Sequence, residues 1–190
     1  MGEPANSRDE VIGRLFEVFR DYGYDGATLS ELSRATGLGK SSLYHYFPNG
    51  KEDMALAVIK NADSWLRENA TAVVTGTGSP RVRLTRILNA LDQLYDGGRN
   101  ACVLGNLVLS GTKQPFHRRL NEAFDLWIGA LAALAIEAGV PPKKARERAE
   151  DAVAGIEGAL VLSAGLDDLA PFRRRLRAIP DALFAGTKDD

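Results

Sequence analysis

The residues best suited to chemistry lie between Lys40 and Tyr46. Lys40, Ser41, Ser42, Tyr44, His45 and Tyr46 are cationic, hydroxylated or aromatic, and they surround one apolar residue, Leu43. A lysine attracts phosphate. Serine and tyrosine hydroxyls bond phosphates or base edges, and an aromatic face can meet a thymine methyl group. This is chemistry for reading nucleic acid rather than for breaking bonds. The chain holds no Ser/His/Asp arrangement and no phosphate loop. His45 and His117 stand far apart without ligand spacing, so the sequence implies neither a metal site nor a cofactor.

Two short helices must position these groups. Thr28-Leu29-Ser30-Glu31 is a capping box, in which a hydroxyl and a carboxylate satisfy the free amides of a helix start. Leu32 and Ala35 point inward, and Gly37 is the left-handed residue that ends this helix. A second short helix starts near Gly39, buries Leu43 and Phe47, and is broken by Pro48-Asn49-Gly50. Leu29, Leu32, Leu38 and Leu43 hold the pair together. A capped helix, a glycine turn and a second helix form the layout of a helix-turn-helix, which offers its second helix to the DNA major groove. Another capping box, Ser7-Arg8-Asp9-Glu10, opens a preceding helix with Ile12, Leu15, Phe16 and Phe19 on one face, and Gly23 is expected to stop it.

Charge argues partly against this reading. Through Glu52 there are six basic and eight acidic residues, a net of −2, whereas a DNA reader is expected to be basic. Their distribution restores the case in part, because Thr36 to Lys51 contains no acid. Lys51 begins the next helix, where a cation opposes the helix dipole unless an anion such as a DNA phosphate sits beside it. The spacing alone leaves two readings open, a DNA reader and an incidental helical hairpin.

The run from Ala27 to Glu52, ATLSELSRATGLGKSSLYHYFPNGKE, resembles the signature of the tetracycline-repressor (TetR/AcrR) family. The Leu-Tyr-His-Tyr-Phe block followed closely by Lys-Glu is its most specific part. Asn49-Gly50 makes the following loop one residue longer than the commonest form of the signature. The resemblance implies an all-α protein with a three-helix DNA-binding head at 1–50. A larger helical effector-binding and dimerisation body follows at 51–190. It implies that Thr28, Lys40, Ser41, Ser42, Tyr44, His45, Tyr46 and Lys51 map onto positions that commonly touch DNA. It further implies a homodimer on palindromic double-stranded operator DNA, most often a repressor, released by a small-molecule inducer.

The rest of the chain reads as helices near 51–75, 81–95, 102–109, 115–138 and 143–163, with a tail over 167–185 that Pro180 must end or kink. Thr71–Thr75 has strand-like composition and reads as the fraying end of a helix. Trp65, Leu88, Leu91, Tyr95, Leu104, Val108, Phe124, Trp127 and Ile128 are candidates to line an effector cavity, with ordinary core as the alternative for each. Asn106, Asp92 and Asp125 are candidate polar contacts. Cys102 lies in a Cys-x-x-Gly-Asn-Leu segment resembling one branch of the family, in which some members sense oxidants or electrophiles; a buried, inert thiol is the alternative. Ala149, Ala152, Gly155, Ile156, Ala159 and Ser163 form a small-residue stripe. With Phe172 and Leu176 it suits either a dimer interface of the kind the resemblance implies or packing within one chain. Arg173-Arg174-Arg175 with Arg177 reads as a solvated face.

Composition bounds all of this. The 190 residues are 45% hydrophobic and 26% charged, with a formal charge of −1. That content excludes a disordered chain, and a chain of this mass buries roughly 70% of its extended surface. Asn100–Thr112, the longest uncharged stretch, is too short and polar to span a bilayer. The first residues contain no apolar signal-peptide core, and a single cysteine excludes an internal disulfide framework. A cytoplasmic protein is the expectation. The reading set against a regulator is a helical small-molecule binder or enzyme without DNA affinity.

Overall fold

The computed structural model describes residues 7–110 and 116–187. Every element among them is helical. The order is α1 (Arg8–Gly26), α2 (Leu29–Thr36), α3 (Lys40–Tyr46), α4 (Lys51–Leu66), a π-helical turn (Arg67–Thr71) and α5 (Ala72–Val74). Then follow α6 (Pro80–Leu94), a 3-10 turn (Asp96–Gly98), α7 (Val103–Leu109), α8 (His117–Glu137), α9 (Pro142–Leu166) and α10 (Ala170–Phe184). Pro115, the expected start of α8, lies outside the described residues.

The chain forms two compact units, one from residues 1–63 and 103–121, the other from 64–102 and 122–190. Compactness thus groups α7 with the first three helices. In the first unit both capping boxes form. The Ser7 hydroxyl accepts from the Glu10 amide at 3.2 Å, and the Glu10 carboxylate accepts from the Ser7 amide at 2.8 Å. Thr28 and Glu31 repeat the exchange at 3.2 and 3.1 Å, and these bonds hold the Glu31 carboxyl below the usual range. Gly37 ends α2 at φ +70°, a left-handed value that a side chain disfavours. Thr36 is wholly buried beside this turn and donates its hydroxyl to the Leu32 carbonyl at 2.7 Å.

Gly23 behaves differently from the sequence expectation. It does not stop α1; at φ +63° it kinks the helix, which resumes to Gly26. The reason is the close approach of α7. A Cβ at Gly23 would lie 2.1 Å from the Ser110 hydroxyl oxygen. That oxygen instead accepts the Tyr24 amide at 2.9 Å and donates to the Asn106 carbonyl at 2.6 Å. Val11, Leu15, Phe19, Leu32, Leu43, Phe47, Met54 and Val58 form the buried core of this unit.

In the second unit α9 and α10 pack along one another, and α10 also packs on α6. Thr71–Val74 stays helical through the π-turn and α5. Of the two expectations for Pro180, ending the helix does not occur: α10 continues to Phe184. Its missing amide costs one backbone bond, but Ile179, Leu183 and Phe184 are buried on both sides of it. Arg148 caps the end by donating to the Leu183 and Ala185 carbonyls at 3.1 and 3.0 Å. Arg83, only 3% exposed, pairs with Glu137 and donates to the Val74 carbonyl.

Candidate nucleic-acid interface

Seven residues make α3 a helix of two turns, too short to persist unless packing holds it. Leu43 supplies that hold at 0% exposure, with Phe47 at 1% closing the far end. The remaining positions are thereby forced outward. Lys40, Ser41, Ser42, Tyr44 and His45 are exposed, Tyr46 is half-buried, and Thr28 stands exposed at the N-cap of α2. Tyr44 keeps 46% of its surface in solvent. The His45 and Tyr46 rings meet edge to face at 6.1 Å.

Lys51 finds a partner within the chain. Its ammonium donates to the Tyr24 carbonyl at 2.8 Å and lies 4.4 Å from the centre of the Tyr24 ring. The conflict with the α4 dipole is therefore relieved from within the chain, by a carbonyl and an aromatic face. Burial, then the nearby Glu52 and Asp25 charges, push the Tyr24 phenol up.

The cavity candidates divide. Leu88, Leu91, Tyr95, Cys102 and Trp127 are buried in the second unit, and Trp65, Phe124 and Ile128 are half-buried there. Phe124 and Trp127 stack with centroids 6.4 Å apart. The Trp127 indole nitrogen is buried and has no hydrogen-bond partner among the described residues. Leu104 is buried in the first unit. Two candidates on α7 stand apart from these. Val108 is 42% exposed, so its position on α7 faces solvent. Asn106 donates its side-chain amide to the Arg20 carbonyl, tying α7 to α1. Asp92 is exposed, and Asp125 is exposed and paired with Arg146 at 2.7 Å. Cys102 is a buried free thiol that meets Tyr95 and Glu157, the latter far from it in the chain order. It hydrogen-bonds the Tyr95 phenol and the Glu157 carboxyl. Burial raises Glu157, and burial followed by the Cys102 and Glu157 charges raises Tyr95 well above its ordinary value.

The interface candidates share one environment, the packing within one chain that the sequence left open. Ala149, Ala152, Ile156, Ala159, Ser163, Phe172 and Leu176 are buried within the single chain, and half-buried Gly155 lies against Arg175. Small side chains let α10 approach α9, so this stripe faces inward. The opposite face of α9 carries what sequence reasoning missed: Ala154, Gly158, Val161, Leu162, Gly165 and Leu166, all exposed. Both faces show helical apolar spacing, and the pattern alone cannot tell which one meets the chain's own core. Among the arginines of α10, Arg173, Arg174 and Arg177 are exposed, whereas Arg175 is half-buried and donates to the Asp151 carbonyl.

Comparison with known proteins bears on this geometry. Residues 14–58 match the family model "Bacterial regulatory proteins, tetR family", and residues 84–177 match "Transcriptional regulator LmrA/YxaF-like, C-terminal domain". The chain is 23% identical to the HTH-type transcriptional regulator LmrA of Bacillus subtilis over 183 residues, 94% of this chain and 97% of LmrA. It is 28% identical to the transcriptional regulator AcuR of Cereibacter sphaeroides, over 98% of this chain and 87% of AcuR. A TetR transcriptional regulator from Legionella pneumophila shares the fold at a TM-score of 0.83 and 17% identity, over 94% of this chain and 97% of that one. The regulatory protein TetR from Rhodobacter sphaeroides does so at 0.80 and 23%, over 94% and 99%. No helix among the described residues is long and apolar enough to cross a membrane. An exposed polar α3 on a buried Leu43, at the place where the N-terminal family model matches, identifies the chain as a member of the TetR family, a transcriptional regulator with a DNA-binding helix-turn-helix and not an enzyme.

Proposed function

We propose that the protein is a cytoplasmic, ligand-responsive repressor that binds a palindromic operator as a homodimer and leaves it when a small molecule binds. The outward display on α3 carries this reading. Five polar or aromatic side chains are held in solvent by one buried leucine, which is what a major-groove reader requires. Thr28 supplies a further hydroxyl at the start of α2. The head at 1–50 reads DNA, and the body at 51–190 binds the effector and pairs the copies.

The dimer is argued from α9. Val161, Leu162 and Leu166 leave 66%, 56% and 64% of their surface exposed beside Ala154, Gly158 and Gly165. Small residues admit a close helix, and the large ones gain about 25 cal/mol for each Å² removed from water. A second copy of the same face covers this stripe by two-fold symmetry. Pairing sets two α3 helices on successive major grooves, about 34–36 Å apart. The effector acts by preferring a body conformation in which the heads no longer match that spacing, and its differential affinity sets the size of the response. Trp127, with its unpartnered indole N–H, offers it a hydrogen-bond donor among apolar walls.

The test is selection of duplexes from random DNA by the full chain, followed by a compound screen for release of the selected duplex. A symmetric site bound by two copies and released by a compound is the expected result. Random recovery, or a single copy on an asymmetric site, overturns the reading.

A further inference from the structure

Of the six cations in the head, the structure occupies most within the chain. Arg14 donates to the Thr36 carbonyl at 3.0 Å. Arg20 pairs with Glu17 and Asp21, and Arg34 interacts with Glu31. Lys51 is held on Tyr24. Among the described residues Arg8, Arg34 and Lys40 make no hydrogen bond or ion pair, and Arg34 is the one of these three whose charge acts on an acid, Glu31; Arg8 and Lys40 remain. They stand at opposite ends of α3. Lys40 is its first residue, and the Arg8 guanidinium lies 5.5 Å from the ring of Phe47, the residue that caps its last turn.

We propose that Arg8 is a phosphate anchor for the strand that passes the C-terminal end of α3, the role the sequence assigned to Lys51. This inference rests on the operator reading above. The dimensions support it. Seven residues at 1.5 Å each give α3 a length of about 10 Å, and the major groove is about 12 Å wide. A helix of that length in the groove brings each end near one phosphate wall. Lys40 meets one wall, and Arg8 meets the other. The Phe47 face fixes the guanidinium from below while its edge N–H groups stay open to solvent, the geometry in which arginine bonds phosphate oxygens in pairs. Arg8 lines a groove with Ile12, Tyr46, Asp53 and Lys60. The Asp53 carboxylate in that groove is directed at Asn49, accepting its amide at 2.8 Å and its side-chain N–H at 3.1 Å. Lys60 adds a second positive charge to the same side.

The experiment measures affinity for a duplex selected from random DNA across a salt series, with the full chain and four variants. Each phosphate contact contributes about 0.9 to the slope of log K against log salt. Arg8→Ala is expected to lower the slope by about 1.8 in a two-copy complex and to weaken binding about tenfold or more at 0.1 M salt. Arg8→Lys keeps the charge and is expected to keep most of the slope. Lys51→Ala is expected to lower thermal stability and leave the slope unchanged. Lys40→Ala is the reference, expected to lower the slope as Arg8→Ala does. A wild-type slope in Arg8→Ala overturns the inference, even if that variant melts earlier, because loss of the Phe47 contact alone changes stability and not ion release. A lowered slope in Lys51→Ala overturns the exchange of roles. If no duplex is enriched in the selection, the operator reading falls and the anchor falls with it; if a duplex is enriched but Lys40→Ala and Arg8→Ala both keep the wild-type slope, the anchor alone falls.

Discussion

α3 and α9 solve opposite problems with the same periodic code. In α3 one large apolar residue, Leu43, goes inward and polar groups go outward. In α9 Ala149, Ala152, Ile156, Ala159 and Leu160 go inward, and a second apolar face with Val161, Leu162 and Leu166 goes outward. The first arrangement leaves a surface that gains from meeting charge and hydrogen-bonding edges. The second leaves a surface that gains from losing water. A helix thus reveals its partner by what it leaves outside. The amount of apolar residue in a helix does not reveal it, since α9 buries Ile156 and Leu160 on one face and leaves Val161 and Leu162 exposed on the other.

Reversing the α9 face gives the largest expected effect. Leu162→Glu places a charge on the pairing surface without touching the chain's own core. The protein is expected to become monomeric by analytical ultracentrifugation and to lose about 100-fold or more in operator affinity, since pairing two sites contributes that much. A dimer that persists in this variant removes the contrast between the two helices. Ala152→Leu tests the inward face. It is expected to lower stability by about 1–3 kcal/mol in denaturant titration, through overpacking against α10, with the oligomeric state unchanged.

Stripping the outward face of α3 ranks next. Tyr44→Ala and Lys40→Ala are each expected to weaken operator binding about tenfold or more. Neither should shift the melting temperature appreciably, because neither side chain is buried. A large loss of stability would place these residues in the core's service instead. Thr28→Ala is expected to cost about 1 kcal/mol of stability through loss of the α2 cap.

The smallest effect concerns Glu157. Its carboxyl is raised by burial, so the folded protein favours the protonated form. The stability this contributes is present below the ordinary carboxylate range and is lost as pH rises through the folded value. Glu157→Gln imitates the protonated form. It is expected to raise the melting temperature by a few degrees at pH 8 and to leave it unchanged near pH 4. The reverse dependence would show that a cation in the body compensates the carboxylate. Glu137 has the opposite sign. The hydrogen bond from Arg83 holds it below its ordinary value, so its contribution is present at neutral pH and lost in acid.

The head was legible because its signals are local. A capping box needs residues three apart, a glycine turn needs one position, and a two-turn helix with one leucine has one way to bury it. Those facts fix which side chains of α3 face outward wherever the head sits. Lys51 shows where this ends. Its attraction to the start of α4 was visible, but its partner Tyr24 lies 27 positions away and is brought there by the kink at Gly23. The kink itself answers to Ser110, farther still along the chain.

By itself, then, the amino-acid order determined an all-helical chain, its capped head and the identities displayed on α3, because each depends on neighbours within a turn or two. Tertiary structure alone decided which stripe of α9 turned inward, that Asn106 would join α7 to α1, that Cys102 would lie between Tyr95 and Glu157, and that Arg8 would reach the far end of α3. Those outcomes depend on which distant surfaces exclude water together. A periodic sequence offers several faces, and only packing in three dimensions chooses among them.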